Sequence, residues 1–178
     1  MQERKEQERK YLFSWDLLGN LEVGRPNLGK FTRVEVYRLM QFTLRDIIES
    51  KFGTEEADKV FYEAGKLAGQ FFYEHFLTKT DDVGEFVKML QNTLKEMKIG
   101  VLRVESMTSG AEKITLTVDE DLDCSGLPEI DYETCVYDEG FISGLLENFT
   151  GRRYLVKEID CWCTGDRTCR FTADMTAD

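Results

Sequence analysis

Three of the chain's five cysteines lie within nine residues, in the stretch EIDCWCTGDRTCRF at 158–171. Cys161, Cys163 and Cys169 flank a Thr-Gly-Asp turn signal, so a hairpin would bring their thiols together. Cys135 lies upstream in the predicted first turn of a helix, where the helix dipole favours a thiolate. Because zinc binds thiolates in sets of four ligands, this spacing predicts a zinc site of four cysteines.

Two other interpretations of these cysteines stay open. A free thiol is often simply packed in a core, and closely spaced thiols can also carry redox chemistry. The sequence contains no C-x-x-C motif, which is the commonest spacing of a redox dithiol. Cys161 and Cys163 are predicted to belong to one strand of this hairpin, where period-2 geometry places them on the same face. The odd cysteine number, in a chain predicted to be cytoplasmic, disfavours structural disulfides.

The composition describes an acidic chain with enough apolar residues for a core. It has 178 residues, of which 42% are hydrophobic, and a formal net charge of −11. Such a charge disfavours direct contact with nucleic-acid phosphates. No apolar run approaches the ~20 residues that span a bilayer, and the charged N-terminus MQERKEQERK lacks the apolar region of a secretory signal. We therefore expect a cytoplasmic protein without a membrane span.

The apolar pattern predicts the elements that must position the cysteines. Residues 1–31 are predicted to form a charged tail and an apolar arm that begins with a strand, and residues 32–178 to form one domain. Helical spacing and end signals predict helices over 32–52, 54–77, 83–98 and 132–150. Alternation and turn signals predict hairpins over 101–120 and 153–172.

This order predicts an α+β fold, in which an antiparallel sheet of two C-terminal hairpins packs with about four helices. Two local signals refine the helices. Gly65 and Gly69, four residues apart on the second predicted helix, would let another backbone approach closely. Asp82 and Glu85 have the spacing of a capping box at the start of the third.

The C-terminal stretch ETCVYDEGFISGLLENFTGRRYLVKEIDCWCTGDRTCRF carries a specific motif. A cysteine precedes a glycine-containing helix, a Gly-Arg step follows, and the spacing E-x-x-C-x(7)-C-R ends the motif. This pattern resembles the 4-vinyl reductase, or hydrocarbon-binding, domain family. The same domain forms the sensors of phenol- and xylene-responsive bacterial activators, and it is similar to a core subunit of the vesicle-tethering TRAPP complex. The resemblance covers residues 32–172 and implies the fold that these proteins share.

The resemblance implies a ligand set for zinc. In the aromatic-sensing members, three cysteines and one glutamate hold the ion, and their positions fall on Cys135, Glu158, Cys161 and Cys169. Strict alternation would place Glu158 and Cys161 on opposite faces of a strand, so this set requires a bulge or twist between them. Cys163 is the alternative fourth ligand, and Glu158 is preferred. Four protein ligands leave no open position, so such a zinc would be structural rather than catalytic.

The resemblance also implies an apolar ligand pocket between the helices and the sheet, near the zinc. Its expected lining is Phe72, Leu90, Asn92, Ile114, Ile142, Leu146 and Val156, although each of these residues could equally be ordinary core. The phenol sensors hold the hydroxyl with a His and a Trp, and these positions fall on Asn92 and near Ile114. These departures favour a more apolar ligand, such as a hydrocarbon, a lipid or a tetrapyrrole.

The leading functional prediction is a small-molecule-binding or sensing domain with a structural zinc. One alternative is a tetrapyrrole vinyl reductase or its accessory, although the chain has no G-x-G-x-x-G fingerprint for a hydride-carrying dinucleotide. Another is a protein-interaction scaffold, which a fully packed interior would favour. Because the sensor relatives dimerise, and the arm offers Trp15, Leu17 and Leu18 as apolar surface, we expect a homodimer.

Overall fold

The computed structural model describes residues 10–130 and 132–176, which divide into two units at Arg33 and Val34. The first unit contains a 3-10 turn (Trp15–Leu18) and a single turn of α-helix, α1 (Leu21–Gly24). The strand predicted at the start of the arm is wrong, since residues 10–33 as described contain none. Three glycines and one proline interrupt this segment, and such residues favour turns over a continuous strand.

The second unit has the predicted α+β architecture. Its helices within the described residues are α2 (Val34–Phe52), α3 (Thr54–Phe76), α4 (Val83–Glu96) and α5 (Val136–Thr150). Its strands there are β1 (Val101–Met107), β2 (Lys113–Asp119), β3 (Tyr154–Asp160) and β4 (Cys169–Met175). They form one antiparallel sheet in the order β1-β2-β4-β3. The predicted sheet of two C-terminal hairpins packed with helices is therefore confirmed.

Helix α5 begins later than its sequence pattern predicts. The prediction placed the start at residue 132, but Cys135 is the N-cap, with φ −89° and ψ 38°. Its backbone amide donates to a carboxylate oxygen of Glu158 on β3, at 3.2 Å. This tertiary hydrogen bond satisfies an amide at the helix end, and it fixes where the helix begins relative to the sheet.

Helices α3 and α5 pack with their backbones almost touching. A Cβ atom on Gly65 would lie 2.0 Å from the carbonyl oxygen of Tyr137, and one on Gly140 would lie 2.0 Å from that of Tyr62. Only glycine allows this separation, so the close approach predicted for the second helix is confirmed. The main core lies between this helix pair, α4 and the sheet.

Candidate functional site

Four thiols converge where the loop after β2, the start of α5 and the β3–β4 connection meet. Cys124, Cys135, Cys161 and Cys169 are fully buried, and their sulfur atoms all lie within 4.8 Å of one another. The Sγ atom of Cys135 lies 3.9 Å from that of Cys161 and 3.8 Å from that of Cys169. The Sγ atoms of Cys124 and Cys169 are 3.0 Å apart. We call these residues the four-cysteine cluster.

The cluster fits a tetrahedral zinc ion in ligand type and ligand number, whereas the 3.0 Å between the sulfur atoms of Cys124 and Cys169 is shorter than a tetrahedral site requires. A zinc–sulfur bond of about 2.3 Å places neighbouring ligands of a tetrahedron about 3.8 Å apart. The two sulfur separations made by Cys135 have this length. Complete burial also resembles a closed structural site rather than an open catalytic one.

Cys124 is the member of the cluster that the sequence argument missed. It lies in an irregular acidic loop, where no periodicity indicates the direction of a side chain. A carboxylate oxygen of Asp121 accepts from the backbone amides of Asp123 and Cys124, at 2.8 and 3.1 Å. This local turn directs Cys124 into the interior. The cysteine count could have pointed to Cys124, because it was the one cysteine to which the sequence argument assigned no role.

Helix α2 holds the same loop in place through its polar side. The hydroxyl of Tyr37 and the side-chain amide of Gln41 donate to the two carboxylate oxygens of Asp123, at 2.8 and 2.7 Å. Arg38 donates to the backbone carbonyl oxygens of Leu122 and Ser125, at 2.7 and 2.9 Å. The loop that delivers Cys124 is thus tied to a helix far away in sequence.

The β3–β4 connection separates Cys163 from the cluster. Cys161 follows β3 directly and caps a 3-10 turn (Trp162–Thr164) that contains Cys163. The prediction that these two thiols share a strand face is therefore wrong, because neither belongs to a strand. The side chain of Thr164 closes this turn by hydrogen bonds with the backbone of Cys161. The Cys163 sulfur lies 3.4 Å from the hydroxyl of Thr134 and is not a member of the group of four.

Glu158, the predicted fourth ligand, lies beside the cluster but is not a member of the group of four. The register of β3 against β4 shifts between Glu158 and Asp160, which is the irregularity that the sequence argument needed. One carboxylate oxygen of Glu158 accepts from the amide of Cys135. The other is buried and finds no hydrogen-bond partner among the described residues. The structure thus brings together Cys135, Glu158, Cys161 and Cys169, and adds Cys124.

Acidic groups surround the thiols in a region that excludes water. Burial raises the pKa of Asp121 to about 7 and that of Glu158 to about 8, and it raises the pKa of Asp138 well above its usual range. Hydrogen bonds from Cys124 and the neighbouring thiols lower the pKa of Cys161, which makes it the preferred thiolate. Several groups here favour their protonated forms, because burial and neighbouring negative charges disfavour ionisation. A bound cation would stabilise the ionised forms.

A cavity of ≈ 50 Å³ lies beside the cluster, between α4, the sheet and α5. Its lining is apolar except for Asp121 and Asp138. A second cavity of ≈ 30 Å³ adjoins it and shares four lining residues, Leu90, Leu102, Leu116 and Leu146. A larger groove of ≈ 500 Å³ is open to solvent, and it lies between α2 and the residues Leu127, Ile130, Tyr132 and Thr134.

The residues predicted to line a pocket are distributed unevenly around the cavities of ≈ 50 and ≈ 30 Å³. Leu90, Ile142 and Leu146 line the larger cavity, and Ile114 lines the smaller one. Phe72 and Val156 are buried core residues outside both linings. Asn92 is exposed on α4 and faces neither cavity. The cavity thus gains polar character from the two carboxyls rather than from the position of the sensors' histidine.

Residues 114–174, which extend from β2 to β4, match the V4R domain family. This match confirms the resemblance that the C-terminal motif predicted. An uncharacterized protein of Methanocaldococcus jannaschii is 28% identical over 145 residues, which are 81% of this chain and 78% of its own.

Solved structures share the fold at low sequence identity. The phenol-responsive sensory domain of the transcription activator PoxR, with phenol, has a TM-score of 0.64 at 15% identity, over 82% of this chain and 76% of its own. A vinyl-4-reductase family protein from Methanocaldococcus jannaschii has a TM-score of 0.59 at 14% identity, over 84% and 85%. Trafficking protein particle complex subunit 3 from Naegleria fowleri, covalently bound to palmitic acid, has a TM-score of 0.63 at 12% identity, over 81% and 95%.

Proposed function

We propose that this protein is a small-molecule-binding or sensing domain, in which an apolar or aromatic ligand occupies the cavity between α4, the sheet and α5. The observation that carries the proposal is the mostly apolar cavity, part of whose lining belongs to the segment 114–174 that matches the V4R domain family. Ligand sites are typically concave and apolar with a few polar groups that fix orientation. The phenol in PoxR and the palmitic acid in the trafficking subunit support a small apolar ligand for this fold.

The proposal includes a structural zinc held by Cys135, Cys161 and Cys169, with Cys124 as the fourth ligand. The mutual spacing of the four thiols supports this set. In it, Glu158 supports the site by accepting from the Cys135 amide, instead of binding the metal. A bound zinc would have a structural role rather than a catalytic one, because it would cross-link the loop after β2, the start of α5 and the β3–β4 connection.

Native mass spectrometry of the full chain, purified without chelators, tests the metal and the ligand together. We expect one zinc per chain and additional mass from co-purified apolar molecules. Protein that carries no zinc after expression with zinc supplied would contradict the metal site. Failure of a panel of small aromatic and aliphatic molecules to bind the purified protein would contradict the ligand-binding function.

The outward side of α2 supports the proposed homodimer. None of the residues of α2, all of which the structure describes, is buried. Its polar side faces the protein, while Val36, Leu39, Met40, Leu44 and Ile47 are each more than half exposed. On a chain with a net charge of −11, an uncharged strip is where two copies can approach without repulsion. The arm also exposes Leu17 and Leu18.

The alternatives make different demands on the molecule. A scaffold function was expected to show a fully packed interior, and the two cavities weigh against it. A tetrapyrrole vinyl reductase would show turnover of a vinyl tetrapyrrole with an added reductant. Among the described residues, none of the helices is both long enough and apolar enough to cross a bilayer. A cytoplasmic location and the lack of direct nucleic-acid binding remain predictions.

A further inference from the structure

The cavity face of α5 contains one residue that does not fit its surroundings. Asp138, Phe141, Ile142, Leu145 and Leu146 follow helical spacing, and all of them line the cavity. Four of these side chains are apolar and one is a carboxylic acid. The oxygen Oδ2 of Asp138 is buried and has no hydrogen-bond partner among the residues that the structure describes.

Helix capping does not explain this aspartate. Asp138 is the third residue of α5, the position from which a capping-box carboxylate reaches back to the N-cap amide. Here the N-cap is Cys135, and its amide donates to Glu158 instead. The carboxyl group of Asp138 is therefore left facing an apolar cavity. An unsatisfied buried polar atom costs about 1–3 kcal/mol, so its retention calls for a partner that the protein itself does not supply.

We propose that Asp138 is the specificity-determining residue of the cavity, and that it binds a hydrogen-bond-donating head group, a hydroxyl or an amino group, on an otherwise apolar ligand. This inference rests on the proposed ligand-binding function and narrows its ligand class. The sequence argument favoured a more apolar ligand than phenol, because the positions of the sensors' histidine and tryptophan fall on Asn92 and near Ile114. The structure places a different polar group at the cavity, on another helix.

The position of Asp138 also gives the ligand a direction. Asp121, Asp138 and Cys135 bring their ligand atoms within 4.8 Å of one another, so the polar end of the cavity is the end next to the four-cysteine cluster. Leu90 and Leu146 belong to both cavities and mark the opposite, apolar end. The head group of the ligand would point towards the cluster, and its apolar body would extend towards the second cavity.

Phenol, aniline and toluene are probes of nearly equal size and shape. Comparing them distinguishes the affinity that comes from a hydrogen-bond donor from the affinity that comes from the apolar ring. Their affinities are measured by isothermal titration calorimetry on the full-length, zinc-loaded protein. We expect phenol and aniline to bind about tenfold or more tightly than toluene, which is the factor that one satisfied buried hydrogen bond provides. The carboxyl carbon signal of Asp138, followed by NMR, should shift with phenol and aniline but not with toluene.

Two variants complete the test. Asp138→Leu should lose the preference for phenol and aniline over toluene, because it removes the acceptor. Ile142→Val enlarges the cavity without changing its polar group, and it should alter all three affinities alike. Equal binding of the three probes by the wild-type protein, or an unchanged preference in Asp138→Leu, would overturn the inference while the ligand-binding function stands. If none of the three probes binds, and the wider panel of aromatic and aliphatic molecules does not bind either, both this inference and the ligand-binding function are overturned.

Discussion

At the scale of single residues, Cys124 and Glu158 compete for one position beside Cys135, Cys161 and Cys169. Glu158 has the residue type that the family resemblance implies, and its free oxygen is buried. Cys124 has the geometry, because its sulfur belongs to the mutually close group. A carboxylate that already accepts from the amide of Cys135 is well placed to orient that residue, whereas a buried thiol beside three others has no comparable alternative role.

Three isosteric substitutions separate these roles. Cys124→Ser should abolish stoichiometric zinc binding, because it removes a ligand. Glu158→Gln should keep one zinc per chain with affinity reduced about 10–100-fold, as is usual for a group that supports a ligand. Cys163→Ser should leave zinc binding unchanged, and it serves as the matched cysteine control. Zinc content measured by elemental analysis after dialysis, together with competition against a chromophoric chelator, reports all three outcomes.

The opposite pattern would restore the ligand set implied by the resemblance. In that case Cys124→Ser would retain a full equivalent of zinc and Glu158→Gln would lose it. Loss of zinc in Cys163→Ser alone would instead show that the 3-10 turn rearranges to bring this thiol into the site. Each result assigns the fourth ligand to a different residue.

At the scale of elements, the contact between α3 and α5 positions both the cluster and the cavity. Gly65 and Gly69 face α5, while Gly140 and Gly144 face α3, and each would bring a Cβ atom within 2.2 Å of a backbone carbonyl oxygen. Cβ atoms are not found at such distances, so any side chain here must separate the helices. Because Cys135 and Asp138 lie at the start of α5, this separation would move them as well.

Gly140→Ala should therefore destabilise the protein by about 2–3 kcal/mol or more, as overpacking against a backbone does. The free energy of unfolding is measured by chemical denaturation with zinc present. Gly84→Ala is the matched control, because it lies in α4 and its Cβ would meet only a side-chain oxygen of Asp82, at 3.2 Å. An equal and small effect of the two substitutions would show that α3 and α5 are not closely packed in solution.

The outward side of α2 leads to a prediction about assembly. Val36→Glu combined with Ile47→Glu introduces two charges into the exposed apolar strip, and the protein should become monomeric in sedimentation equilibrium at micromolar concentration. Leu155→Glu, at an exposed position on β3, is the control and should not change the oligomeric state. Leu17→Glu with Leu18→Glu tests the arm. A monomeric wild-type protein would contradict the homodimer, and a dimer lost only in the arm variant would transfer the interface to the arm.

The elements show where sequence patterns are sufficient. Apolar spacing predicts α2, α3 and α4 within two residues, and the amide of Glu85 donates to Asp82 as the capping signal predicts. Both hairpins follow from alternation and turn signals because these are local properties of the chain. The match of residues 114–174 to the V4R domain family follows from the motif that ends at Cys169 and Arg170.

Sequence patterns fail where a distant contact decides the conformation. The start of α5 depends on Glu158, which lies more than twenty residues away in sequence. Cys124 points inward because Asp121 forms a turn and α2 holds the loop, and neither contact has a periodic signature. The cavity role of Asp138 is also invisible in sequence, since an acidic residue in the first turn of a helix is ordinarily explained by the helix dipole.

At the scale of the whole molecule, this acidic chain buries some of its carboxyl groups in the interior. Burial raises the pKa of four carboxyl groups near the cluster: Asp121, Asp123, Asp138 and Glu158. In the unfolded chain these groups lose their protons near pH 4, whereas in the folded chain they keep them to higher pH. Their contribution to stability is therefore fully present below pH 4 and is lost as the pH rises through the folded pKa values, which are about 7 for Asp121 and about 8 for Glu158. The lowered pKa of Cys161 makes stability increase with pH instead. This is the contribution of one thiol, whereas four carboxyl groups contribute in the other direction.

Zinc should reverse the sign of this pH dependence. Without metal and with a reductant present, the free energy of unfolding should fall between pH 5 and pH 8, by on the order of 3 kcal/mol if the rise in the Asp121 pKa from 3.8 to about 7 were expressed alone. With zinc, stability should instead increase over the same range, because the metal needs deprotonated thiols and binds more tightly as the pH rises. Thermal unfolding followed by circular dichroism at pH 5 and pH 8, with and without a chelator, gives the four values needed. The chelator should therefore destabilise the protein far more at pH 8 than at pH 5, and an equal effect at the two values would contradict a thiolate-bound zinc in the cluster.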